Sequence, residues 1–587
     1  MKAIKYEVQL RHTHRAVIAI AAAVVLLLAI GVTSAAPALD FLSGAAVLAL
    51  AGGGIYFAGA RRGAIATERL ALLFDAAASV AGLILVLHAQ SDIAVYAYAA
   101  LLSAGWLEAV TLSRASAGAW APRNAVFLAT AAVLLLAWAP FWLSYFPGIM
   151  SPDSISEWTQ AMTFHLSDYS PAVYTLFIWL TGHLLRTPAG VSLVQVLLSA
   201  GLIAALFQYL HRSGAPRSIL AVGIAIYLAL PIYGTFTVTL WHDILYSLIA
   251  LWVTHAMYQM YVTKGDWLRQ GWHSWALGAA LVLLPLFAHN GLSVVFGVLV
   301  GAFLVLRRQR RRVALVALGF VIGFLGVEYA AYPALGVQPY SKAFASEALL
   351  HQISAAIAEH GTSGLTAAQK AYLQRIMPLR DWASKYNPYT PQYLVSQRYN
   401  PAYNETPIDQ HFGEFLTVWE EIGRKYPGSY LGERISENAL VLRPTGSYKI
   451  ALSSLNISSN TLGLKTRSLA QPLLATLRDI ETWTTTNMIW LWRPFWVMWL
   501  LLALTVFGAI RRGRGVLFAA IPWIFQVLGL AVSIQGQSVR YYYSLFLIMP
   551  YFVAIVFLPR RTRAKERADE RTQGRSHDAP AASEVPG

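Results

Sequence analysis

The sequence predicts an all-α polytopic membrane protein, and three observations support this. Of 587 residues, 57% are hydrophobic and 13% are charged, whereas a soluble globular chain carries about 25% charged residues. Apolar runs of roughly 20 residues recur, which is the helix length that crosses a hydrocarbon layer about 30 Å thick. Lys and Arg cluster after alternate runs, as in cytoplasmic loops. We therefore expect about fourteen transmembrane helices in a cell membrane, with both termini cytoplasmic.

Residues 1–120 are predicted to form a four-span module. Basic residues precede its first apolar run, and no small-residue cleavage site followed by a soluble domain comes after it, which favours a membrane span over a signal peptide. The four runs are 16–33, 39–60, 70–90 and 92–112.

Residues 121–332 are predicted to form a seven-span core. No Lys or Arg lies between Arg123 and Arg186, so the loop 147–170 is predicted to be external. The run 171–185 is short for a span and favours a re-entrant or interfacial helix on the same side. The predicted spans are 124–145, 191–210, 219–236, 244–262, 275–288, 291–306 and 313–332.

The rest of the chain is predicted to contain three further units. Residues 333–487 are polar, and helical patterning at 346–360 and 365–376 indicates a helix-rich extracytoplasmic domain. Residues 488–559 hold three more spans, and 560–587 are predicted to be a disordered cytoplasmic tail. These three spans are 489–510, 516–533 and 541–558.

Composition also limits the partners and the chemistry. The net charge of +16 would suggest nucleic acid in a soluble protein, but most basic clusters fall at predicted cytoplasmic span ends and so record orientation in the lipid bilayer. No nucleic-acid partner is predicted. The absence of Cys excludes disulfides, thiolate metal sites and Cys nucleophiles.

Asp153 and Glu157 are the first candidate site residues, since both lie in the predicted external loop. They are four residues apart and share one helical face, where two carboxylates can act as a base and a metal ligand or simply solvate the helix. The alternative is capping, with Asp153 as the N-cap and Ser154 and Glu157 forming a capping box.

Three other places put polar groups at the same predicted face. His242 and Asp243 precede one span, with helix capping as the alternative. His289 and Asn290 precede Gly291 in a tight hairpin, which is also an ordinary turn. Arg540 begins the last span, where it can bind a lipid phosphate or snorkel beneath aromatic residues. Together these residues bring carboxylates, a His, an amide and a fixed cation to one membrane face.

This pattern resembles the GT-C superfamily of integral-membrane glycosyltransferases that use polyprenyl-phosphate-linked sugars, including protein O-mannosyltransferases and lipid A aminoarabinose transferases. Members carry a catalytic acid in the first external loop of a seven-span core, followed by an external helix opened by a Pro motif. Asp153 and Pro171 match those positions. The stretch 240–245 is similar to the acidic position at the outer start of a later core span in the family. The stretches 287–291 and 415–427 are similar to segments of an uncharacterised bacterial branch.

Two features depart from the family pattern. The common His-Pro-Pro before the external helix is here Tyr169-Ser170-Pro171, and the first four spans lie outside the usual core.

The resemblance implies transfer of a sugar from a polyprenyl-phosphate donor to a cell-envelope acceptor, which is a glycan, lipid or protein. Asp153 would be the general base and Arg540 the phosphate clamp. The residues expected to bind substrate are Glu157, His242, Asp243, His289, Asn290 and Arg540. The loop has no Asp-x-Asp pair, so no metal is predicted. The sequence leaves open whether a divalent metal takes part.

Two alternatives belong to different functional classes. A transporter or flippase of a lipid-linked saccharide would share the spans, but it predicts inverted repeats and ionisable groups at mid-membrane. The sequence shows no such repeat, and its polar cluster lies at one face. A membrane scaffold without turnover is the second alternative.

Overall fold

The computed structural model describes residues 124–185, 187–444 and 455–558, whose regular secondary structure is helical, with no strand. Isolated parallel bridges join Ile149 to Thr239, Met150 to Ile457 and Ser167 to Gln338. The all-α prediction is confirmed for these residues. The predicted four-span module 1–120 and the tail 560–587 lie outside them.

The helices follow the apolar runs closely. Those before residue 330 are α1 (Ala125–Ser144), α2 (Pro152–Thr163), α3 (Ala172–Leu185), α4 (Pro188–Arg212), α5 (Arg217–Ala229), α6 (Pro231–Thr237), α7 (His242–Val262), α8 (His273–Phe287), α9 (Gly291–Val305) and α10 (Arg310–Gly326). A π-helical segment, Val327–Ala331, follows α10.

The later helices are shorter until the chain returns to the bundle. They are α11 (Tyr332–Ala334), α12 (Lys342–Ala345), α13 (Glu347–His360), α14 (Ala367–Ile376), α15 (Leu379–Ser384), α16 (Gln392–Val395), α17 (Thr406–Gln410), α18 (Phe412–Lys425), α19 (Pro427–Glu437), α20 (Ala439–Leu442), α21 (Gln471–Asn487), α22 (Pro494–Arg512), α23 (Arg514–Ser533) and α24 (Tyr543–Phe557). The 3₁₀ turns are Asp266–Arg269, Arg307–Gln309, Ile489–Leu491 and Val539–Tyr542.

Six helical stretches of the described chain are long and apolar enough to cross a membrane, by length and composition. A seventh arises if α5 and α6, which meet at a 63° bend, form one span; Pro231 begins α6 and cannot donate a backbone hydrogen bond. The helices α8 and α9 are apolar but have only 15 residues each. The six stretches are Ala125–Ser144, Pro188–Arg212, Arg307–Ala334, Pro494–Arg512, Arg514–Ser533 and Val539–Phe557. Such helices are typical of a membrane protein, and the count of about fourteen stays a prediction.

The last helix lies at the centre of the bundle. In the stretch Val539–Phe557, 83% of the apolar window is buried, against 11% in Arg307–Ala334. The helix α24 packs against α7 and α22, while α23 packs against α7 and α9, and α1 against α4. The 3₁₀ turn that precedes α24 and carries Arg540 is therefore surrounded by other helices.

The predicted unit 333–487 contributes to three hydrophobic cores. Residues between Ala343 and Tyr430 form a core of their own, called the second core, and Val337 belongs to a small third core with Leu166. The bundle core includes Leu440, Val441, Leu474 and Leu477. The helix α21 is fastened to the bundle by Glu481, which accepts hydrogen bonds from Tyr145 and Thr235.

Candidate functional site

The candidate site forms at one end of the bundle, where three segments far apart in sequence meet. These segments are the start of α2, the start of α7 and the 3₁₀ turn Val539–Tyr542. They bring together Asp153, Glu157, His242, Asp243 and Arg540. Five of the seven residues singled out from the sequence thus lie in one cluster.

The start of α2 is fixed by Ser151, which is its N-cap. Ser151 Oγ accepts the backbone N–H of Ser154 at 3.3 Å, and the Ser154 hydroxyl completes a capping box with the Ser151 N–H. The predicted capping roles of Asp153 and Glu157 are therefore wrong. Because Ser151 supplies the cap, both carboxylates are available for other contacts.

The loop before α2 is joined to the segment before α7. Leu240 N–H donates to the Ile149 carbonyl at 3.0 Å, and Trp241 Nε1 donates to Ser151 Oγ at 3.0 Å. Gly148 has a φ of +139°, and a Cβ there would lie 2.6 Å from Leu240 Cδ1. A side chain at this position would meet both backbone strain and a steric clash. The close approach holds Asp153 beside the start of α7.

Arg540 connects the three segments. Its Nη1 donates to Asp153 Oδ2 at 2.7 Å, and its Nε lies 3.6 Å from Asp243 Oδ2. The guanidinium also lies over the Trp241 and Tyr541 rings, at 5.5 and 5.1 Å from their centroids. The Arg540 side chain is 15% exposed and that of Asp153 is 45% exposed. A ligand can therefore reach the Asp153 end of the pair.

The electrostatics favour an ionised Asp153. Burial alone would raise its pKa, but attraction to Arg540 and their hydrogen bond outweigh burial and hold the pKa below its usual range. In this paired state Asp153 is a weak base. A group that draws Arg540 away would make the carboxylate more basic.

Glu157 lies behind the exposed pair. It is fully buried, and its Oε1 lies 3.0 Å from His242 Nδ1. Burial raises the pKa of Glu157, and His242 opposes that shift. His242 Nε2 lies 3.6 Å from Asp243 Oδ2, so the imidazole stands between two carboxylates. This burial favours a positioning role for Glu157 rather than the predicted contact with substrate.

His289 and Asn290 lie in a neighbouring cluster. As the turn alternative predicts, they connect α8 to α9, but His289 Nε2 also lies 3.3 Å from Asp168 Oδ2. The His289 ring lies 4.7 Å from that of Tyr340, and the buried Asn290 Nδ2 has no hydrogen-bond partner. The structure therefore pairs His289 with Asp168 and not with the carboxylates of the Arg540 cluster.

Sequence reasoning did not assign roles to several residues that shape the site. Asp168 both contacts His289 and accepts the Ala172 N–H at the start of α3, at 3.2 Å. The sequence feature that could have identified Asp168 is its position three residues before Pro171, in a stretch without Lys or Arg. Tyr174 packs its ring 6.1 Å from that of His242. No spacing rule joins α3 to α7, so this contact needed the tertiary structure.

A separate group of possible metal ligands occurs in the second core. Within the described residues, His351, Glu433 and Glu437 are buried and offer ligand atoms within 4.8 Å of one another. The Arg540 cluster differs, because its exposed carboxylate already faces a guanidinium.

Comparison with other proteins gives a family. No curated protein and no solved structure matches the chain at a significant level. One family model matches residues 150–573, well over half of the chain, and this match includes the residues of both clusters. The chain therefore belongs to DUF6020, a family of unknown function.

Proposed function

We propose that this protein is an integral-membrane glycosyltransferase of the GT-C type, which moves a sugar from a polyprenyl phosphate to a cell-envelope acceptor. The observation that carries the proposal is the contact between the accessible carboxylate of Asp153 and the Arg540 guanidinium. A guanidinium matches phosphate oxygens, and a carboxylate beside it can accept a proton from an attacking hydroxyl.

The proposed reaction uses Arg540 first and Asp153 second. The donor phosphate accepts the N–H groups of Arg540, which frees Asp153 and raises its basicity. The acceptor hydroxyl then attacks the anomeric carbon, and the bond from that carbon to the phosphate oxygen breaks. The electron pair leaves with the polyprenyl phosphate, and the hydroxyl proton passes to Asp153.

The surrounding residues have supporting roles in this proposal. Arg540 stabilises the negative charge that develops on the leaving phosphate. Asp243 and Trp241 hold the guanidinium, while Glu157 orients His242 from behind. His289, which is 42% exposed, and Asn290 are proposed to contact the sugar or the acceptor.

The proposal includes a membrane orientation. The site end faces outward, residues 343–430 form an extracytoplasmic domain beside it, and both termini are cytoplasmic in a cell membrane. The arrangement of about fourteen spans around a GT-C-like core belongs to the same proposal. The loop without Lys or Arg that carries Asp153 supports it.

The test is transfer by the purified full-length protein in lipid nanodiscs. A panel of polyprenyl-phosphate sugars is incubated with cell-envelope acceptors, and products are identified by mass spectrometry. Wild-type protein should form a glycosylated acceptor, and Asp153→Asn should slow turnover about 10²–10⁴-fold, as expected for loss of a general base. Arg540→Gln should weaken donor binding as well as turnover.

Asp266→Asn is the matched control. Asp266 is 62% exposed and lies 3.7 Å from Arg269, so this variant also removes a carboxylate beside an Arg, but away from the site. It should keep wild-type turnover. Wild-type turnover by Asp153→Asn would overturn the base assignment. Movement of the lipid-linked sugar across proteoliposomes without product would favour the transporter alternative.

A further inference from the structure

The second core contains a buried cluster of ionisable side chains that the proposed reaction does not use. His351 on α13 faces Glu433 and Glu437, which lie four residues apart and share one face of α19. His351 Nδ1 lies 2.6 Å from Glu433 Oε1 and 2.8 Å from Glu437 Oε1. All three side chains are fully buried. Buried ionisable groups are costly unless they are fully paired.

The three side chains converge on one point. His351 Nδ1 lies within 2.8 Å of both Glu433 Oε1 and Glu437 Oε1, which is the spacing of a buried ion pair with a proton on Nδ1, although neither Nδ1 nor Glu437 Oε1 has an aligned hydrogen-bond partner. A divalent cation would take the place of that proton and accept lone pairs from all three atoms.

The other polar atoms of the cluster form hydrogen bonds of the kind that usually orient metal ligands. His351 Nε2 lies 2.7 Å from the carbonyl oxygen of Asn387, where its N–H is the donor. With its N–H at Nε2, a neutral His351 would present the Nδ1 lone pair to a metal. Arg434 Nη2 donates to Glu433 Oε1 and to Glu437 Oε2, at 2.6 and 2.5 Å. Arg434 therefore holds both carboxylates, and it shares Glu433 Oε1 with His351.

We propose that His351 Nδ1, Glu433 and Glu437 bind a divalent transition-metal ion that fastens α13 to α19. One imidazole nitrogen and two carboxylate oxygens suit Zn²⁺ better than Mg²⁺, which prefers oxygen ligands alone. Tetrahedral bonds of about 2.0–2.2 Å to the ion place ligand atoms about 3.3–3.6 Å apart, so His351 Nδ1 and the two carboxylate oxygens would have to separate by about 0.5–1 Å. Rotation of the glutamate side chains would supply that distance.

The site would also stabilise the turn that carries Arg540. Asn438, next to Glu437, accepts a hydrogen bond from the Tyr542 hydroxyl at 3.0 Å. Arg434 Nη1 donates to the carbonyls of Val532 and Ile534, both at 3.2 Å. The metal would therefore tie the second core to the segment before α24.

The test measures metal in the full-length protein and does not depend on any transferase activity. Wild-type protein purified without chelator should retain about one divalent transition-metal ion per chain by elemental analysis. Removing the ion with EDTA should lower the melting temperature by several degrees, and added Zn²⁺ should restore it whereas Mg²⁺ should not. His351→Gln and Glu437→Gln should lose both the bound ion and the response to Zn²⁺.

Matched controls lie on α13, at its contact with α19. His360 on α13 contacts Ser429 on α19 at 3.1 Å but is 37% exposed, and Glu359 is 62% exposed. His360→Gln and Glu359→Gln should keep the ion and the response to Zn²⁺. Wild-type protein that retains no ion, with the same melting temperature in EDTA and in Zn²⁺, would overturn the proposal whether or not the variants fold.

Discussion

Arg540 is the side chain on which the geometry of the candidate site depends. The sequence left two roles open for it, a phosphate ligand or a cation that snorkels beneath aromatic rings. The side chain is only 15% exposed and contacts carboxylates from α2 and α7. A snorkelling Arg extends its charge toward water, whereas this guanidinium is directed at groups of the protein. The structure thus favours a fixed cation.

The Asp153–Arg540 pair should make a small contribution to stability that depends on pH. Since the pKa of Asp153 is held low in the folded chain, the contribution is present above the ordinary carboxyl pKa of about 3.9 and is lost as pH falls through the lowered value. Asp153→Asn should cost under about 1 kcal/mol near neutral pH, because the pair is partly solvated. The difference in melting temperature between wild type and variant should be constant from about pH 6 to pH 5 and should shrink as pH falls from about 5 to 3.

The measurement is thermal unfolding of both proteins in the same nanodiscs across that pH range. Asp266→Asn again serves as the control, and it should show little difference from wild type because Asp266 is 62% exposed and 3.7 Å from its partner. A difference between wild type and Asp153→Asn that grows on acidification would contradict the assignment of a lowered pKa.

Sequence reasoning identified residues of the site better than it identified their partners. Asp153, Asp243 and Arg540 were selected because charged groups at helix ends near a membrane are costly and often functional. Their mutual contacts span up to 387 residues of sequence, and no periodicity reports such a distance. His289 was selected by the same reasoning, yet it pairs with Asp168, because the path of the loop before α3 decides which carboxylate it meets.

The start of α2 is the element that orients Asp153. Ser151→Ala removes both the N-cap oxygen and the acceptor for Trp241 Nε1. We expect a loss of about 1–2 kcal/mol in stability, and a loss of transfer activity if the proposed function is correct, because the first turn of α2 would fray beside Arg540. Thermal unfolding and the transfer assay measure the two effects.

The chain offers a matched element in the second core. Thr366 caps α14 through a second capping box, with Gln369. Thr366→Ala should cause a similar loss of stability, about 1 kcal/mol, and leave turnover unchanged because α14 lies outside the candidate site. Equal loss of turnover in both variants would contradict a specific role for the start of α2.

The apolar runs predicted helices well where length and hydrophobicity decide the outcome. The short run 171–185 was predicted to be a separate helix, and α3 spans Ala172–Leu185. The run 219–236 was predicted as one span, and in the structure Pro231 divides it into α5 and α6, which meet at a 63° bend. Polarity suggested one domain for 333–487, but the amphipathic helix α21 packs its apolar side on the bundle. Such a choice between two cores depends on tertiary contacts.

At the scale of the whole molecule, the two cores meet beside the candidate site. Tyr169, just before α3, packs its ring 4.3 Å from that of Phe344 in α12, and the Gln535 side chain donates to the Phe344 carbonyl at 2.7 Å. The second core therefore lies at the same end of the bundle as Asp153. Arg308 lies beyond the other end of α9, a helix of 15 residues and hence about 22 Å long. A single membrane orientation should place these two ends on opposite sides.

The absence of Cys allows that orientation to be tested without background labelling. Ser156→Cys at the site end and Glu414→Cys in the second core, both exposed in the wild type, should react with a membrane-impermeant maleimide on intact cells. Arg308→Cys, also at an exposed position, should react only after lysis, because the basic residues around Arg308 predict a cytoplasmic loop. Labelling of all three in lysed cells controls for accessibility. Labelling of Arg308→Cys alone in intact cells would reverse the proposed orientation and rule out outward-facing transfer at Asp153.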